Sequence, residues 1–254
     1  MSAVWTLLWA WTLLDSGHCS ASLPDISDGA FMKECVQAHN GARSSVSPPA
    51  SNMLYMTWDE ALAVTARAWA RHCVFQHNTH LTDVGSVHPS FSSVGENLWA
   101  GYPPSSFNAS RAIEAWVKEK QDYDYDNNVC SDVCGHYTQV VWASSYKVGC
   151  AAQLCPGQAI FVCNYGPAGN RNRRVPYQPG PGCSGCDGRC EEKLCRSQER
   201  DSQKSYNWSP DWDPVLEPRF SYLPILVSRP VALILTFIAA YAVRYFYPDV
   251  FCYE

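Results

Sequence analysis

Apolar positions along this chain fall into three regimes. Near the start, Val4 to Leu14 reads VWTLLWAWTLL, an apolar run of eleven residues. A bilayer span needs about 20 residues, so the run has instead the length of a secretion-signal core. Small residues follow at Ser16, Gly17, Ser20, Ala21 and Ser22, and residues 1–22 are read as a signal cleaved near 20–22. No Lys or Arg precedes the run, and a buried N-terminal helix is the competing reading. In the middle, the spacing is helical first and strand-like later. Phe31, Cys35, Ala38 and Ala42 share one helical face and predict a helix over 28–43. Thr57-x-x-Glu60 is a capping-box pattern that opens a second helix, with Leu62, Ala66, Trp69 and Cys73 on its buried face. Ile113, Trp116 and Val117 mark a third, from about Ser110. Segments 137–143, 147–155 and 159–165 are rich in Val, Ile, Tyr, Phe and Trp, are separated by turn formers, and read as a strand meander. Helices first and strands later predict an α+β domain rather than a doubly wound sheet. The third regime is Val231–Val243, VALILTFIAAYAV; extended to residues 222–243 it makes a transmembrane helix that encloses Arg229 and Pro230. A GPI-attachment signal and a buried terminal helix are its rivals, but a lipid-anchor signal ends in its apolar tail, and here RYFYPDVFCYE follows. Residues 244–254 then form a cytoplasmic tail.

Composition narrows the class. Charged residues are only 17% of the 254, against about 25% in ordinary domains, so the chain can bury a real core. The net charge of −5 carries no nucleic-acid footprint. Thirteen cysteines disfavour a cytosolic enzyme and fit an oxidising compartment. Residues 183–195 hold four of them, and the polar stretch 197–220 after this module reads as a stalk.

Several formal motifs fail on context. Gly180-Pro181-Gly182-Cys183-Ser184-Gly185 fits a dinucleotide fingerprint, but no strand precedes it and no apolar helix follows. Cys183-x-x-Cys186 is read as disulfide rather than zinc or redox chemistry, given the secreted context. Neither H-E-x-x-H nor G-x-S-x-G occurs. Four stretches carry more: His39-Asn40-x-x-Arg43, Gly95-Glu96-Asn97-Leu98-Trp99, Gly135-His136-Tyr137-Thr138-Gln139-Val140-Val141-Trp142, and Phe161-Val162-Cys163-Asn164-Tyr165-x-Pro167-x-Gly169-Asn170. In this order they resemble the CAP superfamily of cysteine-rich secretory, antigen 5 and pathogenesis-related proteins, over residues 25–177. Arg171 departs from the usual continuation of the last motif.

The resemblance implies an α-β-α sandwich with a three- or four-stranded antiparallel sheet. It implies the pairs Cys73–Cys155, Cys130–Cys134 and Cys150–Cys163, and, in a hinge module over 181–196, Cys183–Cys190 and Cys186–Cys195. Cys35 is left over, either as a buried thiol or as an intermolecular bridge. It also implies a cleft tetrad of His77, Glu96, Glu119 and His136. The two imidazoles are the candidate zinc ligands and the two carboxylates would orient them. Asn40 and Arg43 are read as core-knitting. Aromatics around Trp116–Tyr125 and Tyr137–Trp142 are placed to line an apolar groove, since family members are linked to sterols and fatty acids. Asn108-Ala109-Ser110 and Asn207-Trp208-Ser209 are glycosylation sequons. The expectation is therefore a membrane-anchored extracellular module, not an enzyme, that presents its cleft to zinc, lipids or partner proteins. A cleft hydrolase using the His/Glu cluster, a sterol or fatty-acid carrier, and a secreted form are the alternatives.

Overall fold

A computed structural model describes residues 23–171, 174–216 and 223–247. The signal segment, residues 217–222 with the end of the stalk and the first residue of the expected span, the tail end 248–254, and with them Cys19 and Cys252, lie outside the described residues. The described residues fall into two compact units that divide after Asp213.

In the first unit, α1 (Gly29–Ser44) starts where the Asp28 carboxylate accepts from the Ala30 and Phe31 amides. The capping box at Thr57 does not form. Thr57–Trp58 instead becomes strand β1, paired in parallel with Lys147–Val148. Helix α2 (Glu60–Ala70) consequently begins later, capped by Asp59, whose side chain accepts from Leu62 N. Next come β2 (Gly95–Gly101), α3 (Ala109–Lys118), the short pair β3 (Tyr123–Asp124) and β4 (Val129–Cys130), and α4 (Gly135–Val140). The long hairpin β5 (Lys147–Cys155) and β6 (Gln158–Gly166) follows the strand pattern within a residue. The sheet order is β1-β5-β6-β2, with β1–β5 the one parallel pair and β2 an edge.

Helices cover both faces of this sheet. Gly149 lies against the backbone of Asp59, Leu62 and Ala63, which puts its register partner Asn164 on the α2 face. Phe161 has the opposite parity along β6 and meets Phe31 of α1 at 6.3 Å and Trp116 of α3 at 5.4 Å. This is the α-β-α sandwich. Buried Leu62, Phe161, Ile160, Tyr165 and Val148 lie at its centre.

Two further expectations need correction. Residues 137–143 are not a strand: Gly135–Val140 is the helix α4. Its Val, Tyr and Thr content favours a strand, but remote side chains satisfy both ends of a helix there. The Glu119 carboxylate accepts from the His136 and Tyr137 amides, and Arg43 donates to the carbonyls of Val140 and Trp142. Tertiary contacts override local preference. Residues 197–213, read as a stalk, pack along the domain. Trp212 stacks on His80 at 4.9 Å and donates Nε1–H to Ser86 O, while Arg71 and Asp213 pair at 2.7 Å.

Sulfurs are bonded in the pairs Cys73–Cys155, Cys130–Cys134, Cys150–Cys163, Cys183–Cys190 and Cys186–Cys195. Cys35 is a buried free thiol, and its burial raises its pKa. The last two disulfides hold the hairpin β7 (Arg189–Glu191) and β8 (Leu194–Arg196), docked on the domain by Cys195 N to Met53 O and Tyr55 N to Cys195 O. A four-residue helix, α5 (Gln198–Asp201), follows. The second unit contains α6 (Leu223–Phe246), whose Ser228–Phe246 stretch is long and apolar enough to cross a membrane.

Candidate functional site

The edge strand β2 organises the polar cluster. Glu96 is buried, and its register partner is Asn164. Its Oε1 accepts from the Asn78 amide at 2.9 Å and sits 2.9 Å from His77 Nδ1; its Oε2 takes a longer bond from Asn164 Nδ2 at 3.4 Å. His77 reaches it from the loop after α2, a loop fixed by the Cys73–Cys155 disulfide and by Trp69 Nε1–H donating to Gln76 O. The imidazole side chain is 61% exposed, whereas the Glu96 side chain is fully buried. The hydrogen bond to Glu96 raises the His77 pKa above 6.5, against a lowering by burial.

The second pair is built from α3 and α4. Glu119 follows α3 and turns its carboxylate to the start of α4. Oε2 accepts from the amides of His136 and Tyr137, and Oε1 lies 2.6 Å from His136 Nδ1. The His136 ring lies nearly parallel to Trp116, 6.2 Å between centroids, and Trp116 is itself fixed by donating Nε1–H to Leu98 O. Asn97, next to Glu96 on β2, supports this second pair. Its Nδ2 donates to His136 O at 3.0 Å and to the Tyr165 hydroxyl at 3.1 Å. Tyr165 in turn meets His39 Nε2 at 2.9 Å. His39 donates Nδ1–H to Cys35 O, so Nε2 accepts from Tyr165. Burial pushes the His39 pKa down to about 4, so this imidazole is a neutral structural link. Neighbouring strand residues point to opposite faces, so Glu96 and Asn97 serve the two pairs from either side of the edge.

The arrangement has one chemical consequence. In both pairs a carboxylate takes Nδ1, which fixes the proton there and leaves the Nε2 lone pair without a protein partner among the described residues. A neutral imidazole nitrogen is a donor type that zinc takes, and each pair presents one. No group of three or more His, Cys, Asp or Glu among the described residues gathers into a metal site. The aromatic stretch proposed as a groove is mostly core: Trp116 and Tyr137 are buried. Beside it, Val46, Val117, Tyr123, Tyr125 and Tyr137 line a cavity of about 240 Å³.

A family model described as "CAP: Cysteine-rich secretory protein family" matches residues 36–165. The chain belongs to this family. Glioma pathogenesis-related protein 1 of Mus musculus is 47% identical over 248 residues, covering 96% of this chain and 95% of the relative. The succession of signal, CAP domain, cysteine module and apolar helix read from the sequence resembles this relative. GLIPR1-like protein 1 of Bos taurus is 48% identical over 218 residues, 82% of this chain and 88% of the relative. The crystal structure of NaASP2 with Zn2+ superposes with a TM-score of 0.57 at 28% identity, over 69% of this chain and all of that one.

Within this CAP domain, the four residues expected to form the tetrad sit in two His–Glu pairs. Sequence reasoning assigned no role to Asn78, Asn97 or Asn164, which hold Glu96 and His136 in place. Asn97 and Asn164 lie inside the quoted motifs, and that was the available signal. Asn40 and Arg43 do knit the core: Asn40 bonds both ways with the backbone of Met56.

The His77–Glu96 contact makes a pH prediction. By NMR titration His77 should titrate above the ordinary value of about 6.5, and Glu96→Gln should bring it back. A raised folded-state pKa means that the contribution of this pair to stability is present below about 6.5 and fades as pH rises through the folded value. The exposed, solvent-screened ring keeps that contribution small. An unshifted His77 in the wild type would refute the contact.

Proposed function

We propose that this is a membrane-anchored extracellular CAP module whose cleft takes up a divalent cation, zinc first, through His77 and His136, and that it works by binding rather than by turnover. The observation that carries the reading is the shared geometry of the two imidazoles: Nδ1 tied to Glu96 or Glu119, Nε2 free. Bound zinc would act as a Lewis acid toward a ligand atom. The chain's own share is to hold each Nδ1 proton and orient each ring. The relative solved with Zn2+ supports the choice of metal.

Two features favour binding over hydrolysis. Among the described residues no hydroxyl or thiol is hydrogen-bonded to either cleft imidazole, as a Ser–His or Cys–His nucleophile would be. The one free described thiol, Cys35, is buried and held protonated. A sterol or fatty-acid carrier is less well served, because the aromatic cavity of about 240 Å³ falls below the roughly 300–1,000 Å³ usual for ligand pockets. Asn108 and Asn207 are both exposed, as glycosylation requires. Asn108 caps α3 through Oδ1, which a glycan on Nδ2 would leave in place.

Anchoring rests on α6. Leu233, Ile234, Leu235, Phe237 and Ile238 are all more than half exposed, and a helix apolar on every side requires lipid or protein around it. Arg229 lies near one end of the apolar stretch, from where it can reach the interface. The expressed protein should stay in the membrane pellet after alkaline carbonate extraction. Release into the supernatant would refute the span, and release only by a phosphatidylinositol-specific phospholipase would replace it with a lipid anchor.

A further inference from the structure

A cavity of about 450 Å³ opens where residues 197–206 fold back over the sheet. Phe91, Tyr146, Lys147, Arg200, Lys204 and Tyr206 are among its lining residues, as are three serines and the carboxylates Asp59 and Glu199; none of His77, Glu96, Glu119 and His136 lines it. Lys147, at the start of β5, is only 3% exposed. Its ammonium donates to two neutral acceptors, Thr57 Oγ1 and Ser202 O, both at 2.8 Å. An ammonium has three donors, so one has no partner among the described residues. No ion pair among the described residues includes Lys147.

Buried charges are ordinarily paired, because an uncompensated one costs several kcal/mol of desolvation. The neighbouring carboxylates are committed elsewhere. Asp59 accepts from Leu62 N, faces His88 Nε2 at 3.1 Å and takes the Tyr206 hydroxyl at 3.4 Å. Asp201 pairs with Arg196 and Arg200. Glu199, the other carboxylate on the wall, is exposed. Burial accordingly pulls the Lys147 pKa down, while Asp59 and Asp201 at longer range pull it up. Lys204, exposed on the same wall, supplies a second cation.

The geometry points to a binding site for an acidic sugar, its ring against Phe91, Tyr146 and Tyr206 and its carboxylate or sulfate on Lys147 and Lys204. Aromatic faces accept the C–H faces of a sugar ring, serine and tyrosine hydroxyls serve its edges, and the anion supplies the direct ion-pair partner that Lys147 lacks among the described residues. The cavity volume is in the usual range for small-ligand sites.

The test uses the full chain in nanodiscs and calorimetric titration with two sets of probes. The carboxylate arm compares glucuronic acid with glucose; the sulfate arm compares N-acetylglucosamine 6-sulfate with N-acetylglucosamine. At least one acidic sugar should bind about 10-fold or more tighter than its neutral counterpart, and the arm that responds identifies the anion. Lys147→Met should abolish the preference. Lys204→Glu, an exposed change that leaves the Lys147 contacts intact, should weaken the acidic sugar about 10-fold or more. Lys33→Glu, the same charge change on the exposed side of α1, should leave binding unaltered. No binding in either arm, equal binding of acidic and neutral sugars, or an unchanged affinity in Lys204→Glu would overturn the proposal.

Discussion

Arg43→Met should destabilise the ectodomain by at least about 3–5 kcal/mol, among the largest effects of any single change in this chain. The Arg43 side chain, on a residue 1% exposed, makes six hydrogen bonds, all to backbone carbonyls. Nε and Nη2 donate to Leu54 O, Nη1 to Val140 O and Trp142 O, and Nη2 also to Ala143 O and Ser145 O. One guanidinium therefore closes the end of α4, the turn into β5 and the segment before β1. Methionine fills much of the volume but leaves the carbonyls of Leu54, Val140 and Ser145 without a donor among the described residues, each costing about 1–3 kcal/mol before relaxation, while Trp142 O and Ala143 O keep the bonds from Ser145 N and Leu54 N. Arg43→Lys keeps the charge and loses the planar fork, so it should recover less than half of the loss. Urea unfolding of residues 23–213 reads both variants. A loss below about 1 kcal/mol for Arg43→Met would show that α4 does not depend on this residue.

Gly149→Ala should be nearly as damaging, at about 2–4 kcal/mol, although it adds a single methyl group. A Cβ at this position would run into the backbone of Ala63, Asp59 and Leu62, at the start of α2. These are main-chain atoms, so no side-chain rotamer change relieves the clash, and α2 must move off β5. The same movement would pull Asp59 from its bond to the His88 imidazole. Gly41→Ala is the contrast. Nothing lies within 4 Å of a Cβ there, and alanine in a helix should be neutral or slightly stabilising. Thermal melts of the two variants should diverge by several degrees or more in Tm. Equal melting temperatures would contradict the close approach of α2 to β5.

The fold was legible wherever one local pattern dominated. Phe31, Cys35, Ala38 and Ala42 announce α1 by spacing alone, and the Val- and Phe-rich runs around residues 147–166 announce the β5–β6 hairpin. Legibility failed where distant residues decide. The segment Tyr137–Val141 has strand-like composition, yet Glu119 and Arg43 hold most of it as α4, and neither lies near it in sequence. Thr57 reads as a helix cap, but the demand of β5 for a partner takes it into the sheet. Tyr206, Trp208 and Trp212 sit in a polar stretch that reads as a stalk; their partners His88 and His80 are more than a hundred residues earlier in sequence. The candidate site follows the same rule. His77, Glu96, Glu119 and His136 form no local motif, and only the family resemblance grouped them. Which carboxylate serves which imidazole became visible in three dimensions.

Zinc titration of the ectodomain tests the central claim, a binding cleft built from two carboxylate-oriented imidazoles. The wild type should take up one Zn2+ per chain near neutral pH, with binding that weakens as pH falls because a ligating imidazole must lose its proton. The raised pKa of His77 brings that loss in at a higher pH than for an ordinary histidine. His136→Ala should abolish binding, since two protein ligands leave no redundancy. Glu96→Gln should keep both ligands and weaken binding about 10-fold. A wild type that shows no zinc uptake at micromolar protein, or a His136→Ala variant that binds like the wild type, would contradict the account and leave the two pairs as structure alone.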